Sequence, residues 1–136
     1  MIRLMGIDPG LRFMGWGMID VEGNRLKHVA SGVIGTDGAE SVPLRLCELH
    51  GALQKLIREY APAEAAVEET YVNRNGSSTL KLGYARAVAL LTPAHQGLPL
   101  PEYGAMLVQN SLVGSGSAST VSAPMLVTRP SPAAIS

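Results

Sequence analysis

A strand that runs directly into a carboxylate and then a Pro-Gly turn governs how this chain begins to fold. Met5-Gly6-Ile7-Asp8-Pro9-Gly10 starts almost at the N-terminus. Pro9 has no N–H to give a ladder and Gly10 accepts a sharp turn, so the pair ends the strand and reverses the chain. The segment from Phe13 to Asp20 is apolar and glycine-rich, which predicts the return strand of a hairpin. Asp8 then closes a buried strand. A carboxylate in that position suits a divalent cation or a phosphate-facing site, because hard cations take oxygen ligands and use one or two carboxylates from any one element. The plainer reading is that Asp-Pro-Gly is an ordinary turn sequence, which Asp8 merely opens.

The remaining pattern predicts a mixed α/β sheet. The first strand is Ile2 to Asp8 and the second Phe13 to Asp20. Glu22-Gly23-Asn24 is a tight turn, and Arg25 to Ile34 returns as a third antiparallel strand. Ser41 is placed to cap a helix with Pro43 in its first turn. Leu46, Leu49, Leu53, Leu56 and Tyr60 recur every three or four residues, giving one helical stripe that Pro62 stops. Ala65-Ala66-Val67-Glu68 is a short buried strand that again ends on a carboxylate. Ser77 or Ser78 is placed to cap a second helix carrying Leu80, Tyr84, Ala87, Val88 and Leu91, ending near Pro93. Leu98 to Met106 is expected as a fifth strand, with Pro99 and Pro101 pushing it towards an edge. In open α/β sheets, sites form where strand ends diverge. If the first and fourth strands are neighbours, Asp8 and Glu68 meet at one edge and offer two oxygen ligands to Mg²⁺. Otherwise Glu68 and Glu69 are solvated carboxylates following a strand.

Composition narrows the function classes. The 136 residues allow one domain with a real core. Lys plus Arg and Asp plus Glu are equal at 11 each, so a DNA-binding face has to be a local patch. The single cysteine, Cys47, rules out an intramolecular disulfide and a cysteine-cluster metal site, and is expected to be a buried, inert thiol. His28, His50 and His95 have no ligand spacing. No apolar run approaches membrane-spanning length and no signal core is present, so the expected location is the cytoplasm. In the loop after the fourth strand, Tyr71 offers a stacking face and Arg74 a phosphate-seeking cation.

These motifs, taken together, resemble the RuvC Holliday junction resolvases. The likeness rests on Gly6-Ile7-Asp8-Pro9-Gly10, Gly15-Trp16-Gly17, Ala66-Val67-Glu68-Glu69 and Leu80-Lys81-Leu82-Gly83-Tyr84-Ala85-Arg86. Glu102-Tyr103 and Val113-Gly114-Ser115-Gly116-Ser117-Ala118 continue it, so it covers about residues 1 to 118. The resemblance implies a ribonuclease-H-like fold with flanking helices and a homodimer that binds four-way DNA junctions. It further implies Mg²⁺-dependent cleavage, with Mn²⁺ able to substitute, of two strands of like polarity, and a possible branch-migration helicase partner. Asp8 and Glu68 match the family's catalytic and metal-binding carboxylates of the first and fourth strands. Tyr71 matches an aromatic residue that stacks on bases near the junction centre, and Arg74 and Asn75 fall in the same DNA-facing loop. The second helix matches the family's dimer interface.

The sequence departs from the family pattern in its last part. Members of the family carry two more aspartates on a C-terminal helix, whereas here the last acidic residue is Glu102. Family lysines near Gln109 and near Ser119 or Thr120 have uncharged counterparts. Residues 115 to 136 are rich in Ser, Ala, Val, Thr and Pro and show no helical period. The expectation is therefore a RuvC-like domain over 1–118 without its C-terminal helix, an atypical disordered tail over 119–136, and impaired cleavage. A frameshift is one possible origin of the tail. Two other functions fit parts of the pattern: a junction-binding protein without catalysis, and a fragment of an actin-like or sugar-kinase phosphotransferase, whose first phosphate loop is similar to Gly6-Ile7-Asp8-Pro9-Gly10. The second needs another lobe and lacks a Gly-x-x-x-x-Gly-Lys loop.

Overall fold

A computed structural model describes residues 1–69, 76–101 and 112. Four strands and two helices follow in the order β1 (Ile2–Asp8), β2 (Phe13–Glu22), β3 (Arg25–Gly35), α1 (Val42–Tyr60), β4 (Glu64–Val67) and α2 (Gly76–His95). The described sheet has the order β3-β2-β1-β4, with β1 antiparallel to β2 and parallel to β4. β1 is thus an inner strand, and Leu4, Met5, Gly6 and Ile7 are all buried. Such a strand needs apolar residues on both faces, which explains its continuous apolar run.

Alternation along the strands divides the two faces. Met5, Ile7, Met14, Met18, Ala65 and Val67 pack with Leu49, Leu53 and Ile57 of α1 and Ala85 and Ala89 of α2 in one core. The opposite face of β1 and β4 carries Gly6, Asp8, Ala66 and Glu68. Arg3 ties the sheet to the helix layer. Its Nε and Nη2 donate to Asp20 on β2 at 2.8 and 3.1 Å, and its Nη1 donates to the Tyr60 carbonyl at the end of α1 at 3.0 Å.

Ser41 caps α1 as expected, its hydroxyl accepting from the Leu44 N–H at 3.4 Å. The helix ends on Ala61, whose left-handed backbone (φ 49°) lets its N–H donate to Ile57 O at 2.9 Å before Pro62 forbids another turn. The buried stripe of α1 is Arg45, Leu49, Leu53 and Ile57, a spacing of four throughout. Leu46, Leu56 and Tyr60 sit half-buried on its shoulder. That stripe corrects the expectation for Cys47, which is exposed. Two residues along a helix turn a side chain about 200°, so a position between Arg45 and Leu49 faces away from the core.

α2 runs through Pro93 and ends at His95, near the expected stop. Proline in the last turn removes one donor only. The chain closes with Gln96 N–H to Thr92 O at 3.2 Å and Leu98 N–H to Pro93 O at 3.0 Å, helped by Gly97 at φ +87°. His50 Nδ1 and Thr92 Oγ1 lie 2.9 Å apart and join the two helices, giving that histidine a structural place. Of the fifth strand expected over 98–106, residues 98–101 are not in strand conformation, although the Ala65 N–H donates to Pro99 O at 3.1 Å. Residues 102–106 lie outside the described residues, as does the proposed tail. No helix among the described residues is long and apolar enough to cross a membrane.

Candidate metal centre

β1 and β4 run in parallel with Ile7 beside Val67, so both strands deliver their next residue to the same edge. The Glu68 N–H donates to Ile7 O at 2.8 Å and carries the ladder one step beyond β4. Ile7 and Val67 point into the helix-side core. Asp8 and Glu68 therefore stand together on the other face. Asp8 pairs across β1 and β2 with Gly15, which contributes no side chain to the space beside it. Glu68 is 2% exposed, while Asp8 is half-buried.

Two carboxylates so close cannot both hold full charge cheaply. Burial pushes the Asp8 carboxyl above the usual carboxylate range, and a side-chain hydrogen bond with Glu68 pulls it partly back. A cation between the two groups would balance their charge. The donor set suits a hard ion, with carboxylate oxygens from two adjacent strands and neither sulfur nor imidazole. Among the described residues, no group of three or more His, Cys, Asp or Glu is placed to hold a metal. The candidate donors there are thus a pair of carboxylates, the small number with which Mg²⁺ could keep waters or phosphate oxygens.

Neighbouring cations brace both strand ends through backbone atoms. Arg86 of α2 donates from Nη1 to the Glu68 carbonyl at 2.5 Å, and its Nη2 lies 3.8 Å from Glu69 Oε2. On the other side, Arg12 Nη1 donates to Thr36 O, and Thr36 N–H donates back to Arg12 O at 3.0 Å. Thr36 Oγ1 donates to Leu11 O at 2.6 Å and accepts from the buried Arg45 Nε at 3.0 Å. The turn that follows Asp8 is therefore held from behind. Gly10 is required within it, since a Cβ there would collide with the Phe13 carbonyl. Sequence reasoning gave no role to Arg12 or Arg45. The available signal was Arg45 standing first in the stripe 45-49-53-57. Tyr71, Arg74 and Asn75 lie outside the described residues.

Known proteins are similar to this chain over most of its length. The family model described as crossover junction endodeoxyribonuclease RuvC matches residues 4–130. A protein of that name from Gluconobacter oxydans is 81% identical over 134 residues, covering 98% of this chain and 80% of the relative. Its counterpart from Gluconacetobacter diazotrophicus is 63% identical over the same coverage. Among solved structures, RuvC from T. thermophilus in complex with a Holliday junction substrate superposes with a TM-score of 0.71 at 28% identity. It covers 88% of this chain and 73% of that one. The fold is accordingly ribonuclease-H-like, and the phosphotransferase alternative falls away. With a family model spanning nearly all of it and relatives of such identity, the chain belongs to the RuvC family of crossover junction endodeoxyribonucleases.

Proposed function

We propose that this protein binds four-way DNA junctions and hydrolyses phosphodiester bonds in them with a divalent cation, Mg²⁺ in preference and Mn²⁺ as a substitute. The observation that carries this reading is the Asp8–Glu68 pair, brought side by side at the ends of two parallel neighbouring strands. Asp8 and Glu68 hold the cation. When bound, the ion polarises a phosphate oxygen and lowers the pKa of its water. Arg86 and the Thr36 network keep the two strand ends at fixed separation, so the carboxylates are positioned before DNA arrives. Tyr71 is proposed to stack on bases, and Arg74 and Asn75 to meet the backbone in the same loop.

Two ions about 4 Å apart would need more anionic ligands than this pair supplies. Phosphate oxygens of the DNA are proposed to complete the coordination, with cleavage slowed accordingly. The same observation, a two-carboxylate cluster among the described residues, favours a second reading: junction binding without cleavage. A synthetic four-way junction tests both. Mg²⁺-dependent cleavage by the wild type, lost in Asp8→Asn and Glu68→Gln with binding intact, is the expected result. Cleavage that survives both substitutions overturns the site. Tight binding with no cleavage at any Mg²⁺ or Mn²⁺ concentration establishes the second reading.

A homodimer through α2 is proposed because that helix leaves Leu80, Tyr84 and Leu91 exposed, at 56%, 39% and 59%. A cytoplasmic location and a branch-migration helicase partner complete the proposal, and rest on the family alone. Residues 1–118 are proposed as the folded unit and 119–136 as a tail, on composition.

A further inference from the structure

Arg12 and Phe13 follow the Asp8 turn; Arg12 bonds the Thr36 carbonyl, and neither side chain meets cation or DNA in the function proposed above. Phe13, the only phenylalanine of the chain, is 59% exposed. Strand alternation decides which face it occupies. Met14 and Met18 enter the helix-side core with Trp16 packed against it, so Phe13 and Gly15 stand on the face of Asp8 and Glu68. Val33, opposite Gly15 on β3, is 38% exposed. The row Glu68, Asp8, Gly15, Val33 thus crosses the sheet, and Phe13 lies one pleat further along β2. Facing residues are about 5 Å apart and two residues span roughly 6.6 Å of strand, which puts Phe13 about 8 Å from Asp8. That is about two nucleotides of a stacked strand.

The local charge is one-sided. The Arg12 guanidinium carbon lies 4.6 Å from the centroid of the Phe13 ring. Its Nη1 is anchored on the Thr36 carbonyl, so the side chain is held over the ring rather than free to sweep solvent. Arg45, 7% exposed, stands behind Thr36. Among the described residues, neither arginine has a carboxylate at ion-pair distance. Asp37, the acid next to Thr36, accepts from the Ala39 N–H at 2.9 Å. The first turn of α1, which begins at this point, contains no acidic residue to offset its dipole. A fixed cation beside an open aromatic face, with no carboxylate at ion-pair distance among the described residues, matches a phosphate and a base together.

We propose that Arg12 and Phe13 form a nucleotide-binding platform beside the Asp8–Glu68 pair, Phe13 stacking on a base and Arg12 meeting a phosphate about two nucleotides from the scissile bond. This rests on the reading that the ligand is four-way junction DNA. Phe13 is largely exposed and is not among the residues of the buried core, so its truncation leaves the core intact.

The test uses the full chain and a synthetic four-way junction with 2-aminopurine placed one, two or three nucleotides from the cleaved phosphate, in buffer without divalent metal. Phe13→Ala should weaken binding about 5- to 50-fold and abolish the fluorescence change at one of these positions, and Phe13→Trp should restore both. Arg12→Gln should reduce the slope of log affinity against log salt by about 1. Unchanged affinity, slope and fluorescence in both variants, with a wild type that binds, overturns the platform alone. A wild type that does not bind the junction overturns the DNA reading, and the platform with it.

Discussion

An aspartate buried against a glutamate is electrostatically out of balance until a proton or a cation joins it. Asp8 has its carboxyl raised by burial, so the folded protein holds that proton more tightly than the unfolded chain does. Its contribution to stability is present below the unfolded value, roughly 3.9, and is lost as pH rises through the folded one. Asp8→Asn should consequently stabilise the metal-free protein at pH 7, with the gain shrinking to nothing in strong acid. Urea denaturation of both proteins at several pH values measures this, and a destabilised variant at pH 7 contradicts it. Asp20 behaves in the opposite sense. Its hydrogen bonds with Arg3 hold its carboxyl below the ordinary range, so its stabilisation is present above about pH 4 and disappears as pH falls through the folded value. Asp20→Asn should lose about 1 kcal/mol at pH 7, since the pair is partly open to water, and match the wild type once the pH is below the folded value. Asp8 was legible from sequence because Pro9-Gly10 marks where its strand ends. Arg45 was not, because a cation in an amphipathic helix reads as part of the wet face until Thr36 and Leu11, distant in sequence, arrive beside it.

At the level of elements, the hairpin and α1 were readable from local chemistry. Ser41, Pro43 and Pro62 bracket the helix whatever the tertiary structure does, and Gly23 at φ +61° serves the turn between β2 and β3. What local chemistry could not supply was the phase of the helix. Alternating threes and fours selected Leu46 and Leu56 as well as Leu49 and Leu53, and packing against the sheet chose the spacing of four. The turn from β1 to β2 offers a sharper test. Gly10→Ala forces a Cβ into the Phe13 carbonyl, so the turn must open. The expected outcome is a loss of about 1–3 kcal/mol in stability and weaker Mn²⁺ binding than that loss explains. Calorimetric titration below the melting range separates the two effects, and wild-type Mn²⁺ affinity would show that the turn does not set the position of Asp8.

For the whole molecule, the sheet order mattered most and was the least local property. Asp8 and Glu68 are 60 positions apart in the numbering, and only the parallel pairing of β1 with β4 makes them neighbours. The exposed side of α2 gives the prediction for assembly. Light scattering should report a dimer at micromolar concentration, and Leu80→Asp should return it to monomer with the fold preserved. A wild-type mass of one chain at every dilution counts against that face. Limited proteolysis should trim residues 119–136 and leave a resistant core. Protection of that stretch from cleavage and hydrogen exchange would place it inside the folded unit instead. The exposed thiol on α1 opens a further route. Because Cys47 is the only cysteine in the chain and faces solvent, one nitroxide label can be attached per molecule without removing any native residue. Two labelled copies in one particle would then give a dipolar coupling in pulsed electron resonance, and diluting them with unlabelled protein should quench it. An unmodified scaffold thus already carries its own ruler for how two copies meet.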